Sequence, residues 1–157
     1  DGDSIANIEL MNDEDMIIIT KKGYSIHFET KEIAAIGRVT AGVKAIKLTD
    51  DDEVLVGLPI RDKKETVAVF SSFGNAKKTN IDEFPLQARA GKGVVAYKVS
   101  PATGDVVGAT MINDEDNILL VGKTSICVAA TDIPQLGRAA TGNIMIKNGQ
   151  INSVTKL

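Results

Sequence analysis

The sequence is poor in several residue types. It has one Cys, one His, no Trp, two Tyr and four Phe among 157 residues. A lone Cys127 cannot close an internal disulfide, which fits a reducing compartment. With so few aromatic residues, a stacking platform for single-stranded nucleic acid is not expected. No run of 18 apolar residues is present, and Asp1-Gly2-Asp3-Ser4 carries neither the basic nor the apolar region of a secretory signal. Membrane insertion and export are therefore not expected, and the cytoplasm is the expected compartment.

Catalytic and ligand-binding signatures are equally thin, since no nucleophile stands near a base. His27 lies on an alternating strand without a second ligand and reads as structural, and Cys127, between Ile126 and Val128, reads as core. Gly122-Lys123-Thr124 copies the end of a phosphate loop, but Asn117 stands where the first glycine is required. Asp50-Asp51-Asp52-Glu53 lacks the spacing of a calcium loop and reads as a solvated turn. No metal ion, cofactor or catalytic residue is expected in this chain. The formal net charge of −3 argues against a generic polyanion binder.

What the sequence has is β pattern. Short or alternating apolar runs at 5–10, 16–20, 25–28 and 43–48 are bounded by turn residues, and none reaches the length of a helix. The best helix-like stretch, Ile33-Ala34-Ala35-Ile36, allows one turn at most. These runs recur. Arg-x-x-x-Gly appears as Arg38/Gly42, Arg89/Gly93 and Arg138/Gly142, at intervals of 51 and 49 residues. Ile36-Gly37-Arg38 answers Leu136-Gly137-Arg138, and Val43 to Lys47 answers Val94 to Lys98. Asn12-Asp13-Glu14-Asp15 returns as Asn113-Asp114-Glu115-Asp116, and the turn Lys22-Gly23 returns as Phe73-Gly74.

A period of about 50 residues holding four short strands is the size of a propeller blade. The expected fold is thus all-β, a propeller-like array with about three blades present, in approximate repeats 1–50, 51–101 and 102–157. The chain is out of phase with its repeat, because Gln150-Ile151-Asn152-Ser153-Val154 reads as the first strand of a fourth unit. Strand exchange between neighbouring blades produces such an offset. Three blades are fewer than a closed propeller needs, so the expectation is part of a larger ring, or an incomplete ring that leaves edges to cover.

The loop Gln87-Ala88-Arg89-Ala90-Gly91-Lys92-Gly93 resembles the box Gln-Arg-Arg-Gly-Gly-Lys-Gly of the C-terminal domain of the DNA gyrase A subunit, matching it at five of seven positions. Gly37 to Val43 and Gly137 to Gly142 resemble the degenerate Gly-Arg loops of that family's other blades, and the likeness extends over essentially the whole chain. Ala88 and Ala90 depart from the box. The resemblance implies a β-pinwheel, here half of a six-bladed ring. Its partners, at the nucleoid, would be double-stranded DNA, the gyrase B subunit, and the remainder of the A subunit. ATP and magnesium would serve the intact type II topoisomerase elsewhere, and neither Tyr24 nor Tyr97 resembles its strand-cleaving tyrosine. The A subunit of topoisomerase IV is a close relative with a similar domain.

Divided by repeat, the charge changes character. Residues 34–49, 84–104 and 133–157 contain no Asp or Glu, and each holds three cations, for +9 against −12 elsewhere. The cations are Arg38, Lys44 and Lys47; Arg89, Lys92 and Lys98; Arg138, Lys147 and Lys156. Recurring once per blade, they are expected on one circumference, with the acidic turns 13–15, 50–53 and 114–116 together at another edge. Lys77 and Lys78 could extend the track. Gln87, Gly91 and Gly93, with Gly42 and Gly142, complete the candidate DNA-binding set, since glycine lets main-chain N–H groups approach phosphates. The expected function is non-catalytic binding and bending of duplex DNA. The alternative is a propeller-like protein-interaction module whose basic loops only solubilise it.

Overall fold

The computed structural model describes residues 2–147 and 149–157, so Asp1, the first residue of the stretch read for an export signal, lies outside it. Eleven strands are found among these residues: β1 (Asp15–Thr20), β2 (Tyr24–Glu29), β3 (Val54–Ile60), β4 (Thr66–Ser71), β5 (Asn75–Asn80), β6 (Val94–Val95), β7 (Val106–Ile112), β8 (Asn117–Gly122), β9 (Ser125–Ala129), β10 (Asn143–Ile144) and β11 (Ile151–Lys156). One-turn 3₁₀ helices at Thr30–Glu32, Ile81–Glu83 and Ala130–Asp132 follow the outer hairpin strands.

Three antiparallel sheets result, in the orders β3-β1-β2-β6, β7-β4-β5-β10 and β11-β8-β9. Each blade is a hairpin of one repeat completed by two strands of the next. The following repeat supplies the innermost strand before its own hairpin and a short outermost strand after it. Among the described residues the third blade has three strands.

Central strands are buried on both faces, which explains why β1 reads Met-Ile-Ile-Ile rather than as an alternation. Ile17 and Ile19 join Val67, Val69, Tyr97 and Met111 in a core between the first two blades. Ala68, Phe70, Ile112, Ile118 and Leu120 form a second core between the next two. On the far side of the first blade, Ile18 packs with Ile26, Phe28 and Ile46.

The joint between repeats is made through one glycine carbonyl. Gly23 O accepts the N–H groups of Ala96 and Tyr97 at 2.7 and 3.0 Å, and Gly74 O accepts those of Met145 and Ile146 at 2.8 and 3.3 Å. The incoming segment must then lie against the hairpin edge, so Gly93 stands with φ +72° over the Ser25 carbonyl, in space that a Cβ would overlap. Gly142 repeats this, a Cβ there falling 2.6 Å from Ala76 O.

Several expectations are corrected. Residues 5–10 and 43–48 are not strands. A strand needs a partner edge, and among the described residues neither segment is paired in a sheet. The helical turn lies at Thr30–Glu32, just before 33–36. Cys127 is exposed, because β9 is an edge strand with nothing laid over it. Asp52 is buried rather than solvated, its carboxylate accepting the N–H groups of Lys22 at 2.9 Å and Glu53 at 2.8 Å. The acidic turns also do not share an edge. Residues 50–53 enter β3 where it pairs with Thr20, whereas 13–15 and 114–116 lie at the opposite ends of their blades.

Gly93→Ala should lower stability by about 2–4 kcal/mol, combining left-handed strain with overlap on a rigid backbone. A urea melt checks this, and an unchanged midpoint would show that the outer strand does not hold the blade closed.

Candidate nucleic-acid interface

The Gly-Arg loops are excursions from the outer edge of a blade. The second follows β2 at His27, where Gln87 N–H donates to His27 O at 2.8 Å. It leaves over residues 88–93 and returns as β6 beside Ser25 and Tyr24. The third departs at Lys78, where Leu136 N–H donates to Lys78 O at 2.9 Å, and returns as β10 beside Ala76 and Asn75. Each loop also rests on its predecessor. Ala90 N–H donates to Ala45 O at 2.7 Å and Lys47 N–H to Gly91 O at 2.8 Å, and one repeat later Lys98 N–H donates to Ala140 O at 3.3 Å. The loops thus form a continuous outer surface.

Within it the arginines act as latches. Arg89 Nη1 donates to Lys44 O, and Arg138 Nη1 donates to Val95 O, the equivalent atom one repeat on. Glu32 and Glu83 accept the main-chain N–H groups of Arg89 at 3.3 Å and Arg138 at 2.7 Å. Neither glutamate was singled out from the sequence, although their spacing equals the repeat. Ala90 has φ +67°, so the position where the family box carries glycine keeps the left-handed conformation without the residue suited to it. The buried side-chain polar atoms without a partner among the described residues, Gln87 Oε1 and Arg89 Nε, both belong to this loop.

The exposed cations are mainly lysines. Lys47, Lys98 and Lys147 stand at one register position, spaced like the arginines, and are exposed together with Lys44, Lys92 and Arg38. No Asp or Glu lies within ion-pair distance of these six, nor of Arg89 and Arg138, among the described residues. Elsewhere Lys21, Lys22, Lys31, Arg61 and Lys78 are paired with carboxylates, whereas, among the described residues, the exposed Lys63, Lys64 and Lys123 are not. Gly42, the counterpart of Gly93 and Gly142, has nothing near it. At Gly93 and Gly142 a Cβ would overlap neighbouring backbone, and at Gly91 it would meet the Ala88 carbonyl at 3.5 Å.

Three cations leave the expected track. Lys77 is wholly buried. Its ammonium donates to Gly137 O at 2.8 Å and to Arg138 O, and lies 5.8 Å from the centre of the Tyr97 ring. Lys78 is buried and binds Asp114 at 2.8 Å and Ala130 O at 3.0 Å. Lys156 lies on the innermost strand and donates to Met111 O at 3.0 Å. The alternation of β5 carries both faces into packing, which a pair of adjacent lysines conceals in the sequence. His27 ties its ring to Phe84 O at 2.9 Å and to Asp15 at 3.1 Å, inside the fold. Among the described residues, no three His, Cys, Asp or Glu converge on a metal position, and no helix is long and apolar enough to cross a membrane.

Strand-exchanged blades bearing one basic loop per repeat along their outer edge define a propeller-type domain. A sequence model of the DNA gyrase C-terminal domain, beta-propeller, matches residues 14–58, 65–113 and 128–152, and the chain belongs to that family. It is 35% identical to the DNA gyrase A subunit of Kosmotoga olearia over 164 residues and 32% identical to that of Lawsonia intracellularis over 151, covering 100% and 94% of this chain. It spans 20% and 18% of those proteins, about a fifth of their length. Two solved structures are similar at 27% identity. They are the C-terminal domain of DNA topoisomerase IV (TM-score 0.86, 92% of this chain and 46% of that one) and the DNA gyrase A C-terminal domain (TM-score 0.85, 94% and 52%).

Ala90→Gly should raise stability by up to about 1 kcal/mol, the relief of left-handed strain outweighing the added freedom of the unfolded chain. A denaturation midpoint that falls would show that Ala90 is not strained. For Lys77, burial holds the ammonium down to about 8. Below that pH folded and unfolded chains are both protonated and the fold bears the full cost of the buried charge. From pH 8 towards the unfolded value of 10.5 only the unfolded chain keeps the proton, so stability should rise with pH. The rise, read from urea melts at pH 7.5 and 9.5, should be smaller in Lys77→Met; equal rises would remove Lys77 as its source.

Proposed function

We propose that this chain binds duplex DNA along its outer edge and bends it, as the wrapping element of a gyrase A subunit. In the intact enzyme this would support ATP-dependent negative supercoiling. Its partners there, in the cytoplasm at the nucleoid, would be the gyrase B subunit together with the rest of the A subunit. One observation carries the reading: a cation series repeated once per blade, Lys47, Lys98 and Lys147 with Lys44 and Lys92 beside it, stands exposed without carboxylate partners. Surface ammonium groups on a chain of negative net charge would ordinarily find anions nearby, and here the sequence keeps them away over three windows.

Lysine heads suit this role, since they neutralise phosphates without reading bases, and the loop glycines keep main-chain donors close to the surface. Sequence preference would come from the ease of bending the duplex. The arginines contribute by holding adjacent loops at fixed spacing. A topoisomerase IV A subunit is the second reading, favoured by a structural likeness equal to that of gyrase. The box-like loop at 87–93 and the gyrase names of the curated relatives favour the first.

A duplex titration across ionic strength tests the proposal. Affinity should fall steeply with salt, and replacing Lys47, Lys98 and Lys147 together with Ala should flatten the log-log slope by roughly 2 to 3, at about 0.9 per phosphate contact. Arg89→Lys, which keeps the charge and removes the latch, should change the slope less. Absence of binding at low salt, or a slope untouched by the triple variant, would overturn it.

A further inference from the structure

Two carboxylates cross into the basic edge from outside it. Glu32 and Glu83 end the one-turn 3₁₀ helices that precede the acid-free windows 34–49 and 84–104, and each reaches the Gly-Arg loop of the following repeat. Glu32 Oε2 accepts the main-chain N–H of Arg89 at 3.3 Å, and Glu83 Oε2 accepts that of Arg138 at 2.7 Å. Both contacts lie in the open, with each glutamate exposed. Among the described residues no other carboxylate hydrogen-bonds to these loops, and neither glutamate pairs with a lysine or arginine side chain.

The donors that they take are held in place. Arg89 Nη1 is fixed on Lys44 O and Arg138 Nη1 on Val95 O, so each guanidinium is turned onto the preceding loop while the N–H of the same residue is left to the carboxylate. In the third loop the turn is closed beneath this donor by Ala140 N–H on Gly137 O at 3.0 Å. A fixed turn N–H is a donor for any anionic oxygen, and a carboxylate and a phosphate offer it the same kind of acceptor.

We infer that Glu32 and Glu83 hold, in the free protein, the loop N–H groups that phosphate oxygens take in the bound state, so that these two residues lower the affinity of the basic edge, a role that rests on the duplex binding proposed above. Breaking either contact costs little, because the carboxylate is already at the surface and regains water as it leaves. A carboxylate that stayed beside an arriving phosphate would repel it. With the pair spaced 51 residues apart, as the loops are, the duplex meets one such competitor at each of the second and third loops.

Glutamine keeps an acceptor oxygen for the arginine N–H and loses the charge, which separates competition from bracing of the loop. In Glu32→Gln with Glu83→Gln, duplex affinity at low salt should rise about fivefold per site, the effect of two unit charges about 4 Å apart in water, with the urea midpoint unchanged. Asp82→Asn removes an exposed carboxylate from the same turn as Glu83 without touching a loop donor among the described residues, and should raise affinity less. Inorganic phosphate, followed at the Arg89 and Arg138 amide resonances, gives a reading without DNA, and it should bind several-fold more tightly to the double variant than to the parent chain. Tighter phosphate binding at those amides with no duplex bound by either protein would uphold the glutamates as anion competitors and overturn the duplex reading alone. A bound duplex whose affinity is unchanged or falls in the double variant, phosphate binding that does not strengthen, or an equal gain from Asp82→Asn would each overturn the inference.

Discussion

Everything in this molecule depends on the carbonyl of a hairpin glycine receiving two N–H groups from the next repeat. Gly23 and Gly74 each do so, and the consequence is that no blade is built from one stretch of chain. A two-stranded hairpin is marginal alone in water. Here the β1–β2 and β4–β5 hairpins each gain an inner and an outer neighbour from the repeat that follows, the β8–β9 hairpin gains the inner one, and the apolar faces of successive sheets meet. Cohesion therefore runs along the array, and the identity of the glycines at 93 and 142 follows from backbone crowding at the joint.

The basic surface is a by-product of the same joint. A segment that must cover the preceding blade, turn outward and return has to leave the edge of the sheet, so the excursion lands on the outer circumference in every repeat. Arg89 and Arg138 bind each excursion to the one before it, and the lysines one turn further along are left pointing at solvent. Division of labour between the two cation types is thus dictated by depth. The guanidinium can be half-buried against carbonyls, whereas the ammonium groups at 47, 98 and 147 remain hydrated.

The repeat made the blade unit legible in the sequence, and the exchange itself is seen in β3 and β6 of one repeat flanking the β1–β2 hairpin of the one before. The Arg-x-x-x-Gly spacing located the loops correctly for the same reason. Burial was less visible. Lys77 and Lys78 look like hairpin charge until β5 is seen to be packed on both faces, and Cys127 looks like core until its strand is seen to be the last. The apolar runs at 5–10 and 43–48 have strand composition but no edge to join, so pattern alone could not decide their conformation. Asp52 looked like part of a solvated acidic turn and is instead consumed by main-chain donors of the neighbouring turn.

Repeats that resemble one another this closely are also able to mispair, since any Gly-Arg loop has the backbone to lie on any hairpin. Lys77 distinguishes one of these pairings from the rest. Its counterparts are Ile26 and Ile126, so only the second blade has an ammonium beneath its covering loop, answered by the Gly137 and Arg138 carbonyls and the Tyr97 ring. That charge is answered only by carbonyls of a loop laid over β5, so without a covering loop the second blade carries an unpaired cation where the first has an isoleucine. A single lysine thereby makes the outer cover of one blade obligatory, where the equivalent Ile26 of the first blade asks only for apolar contact.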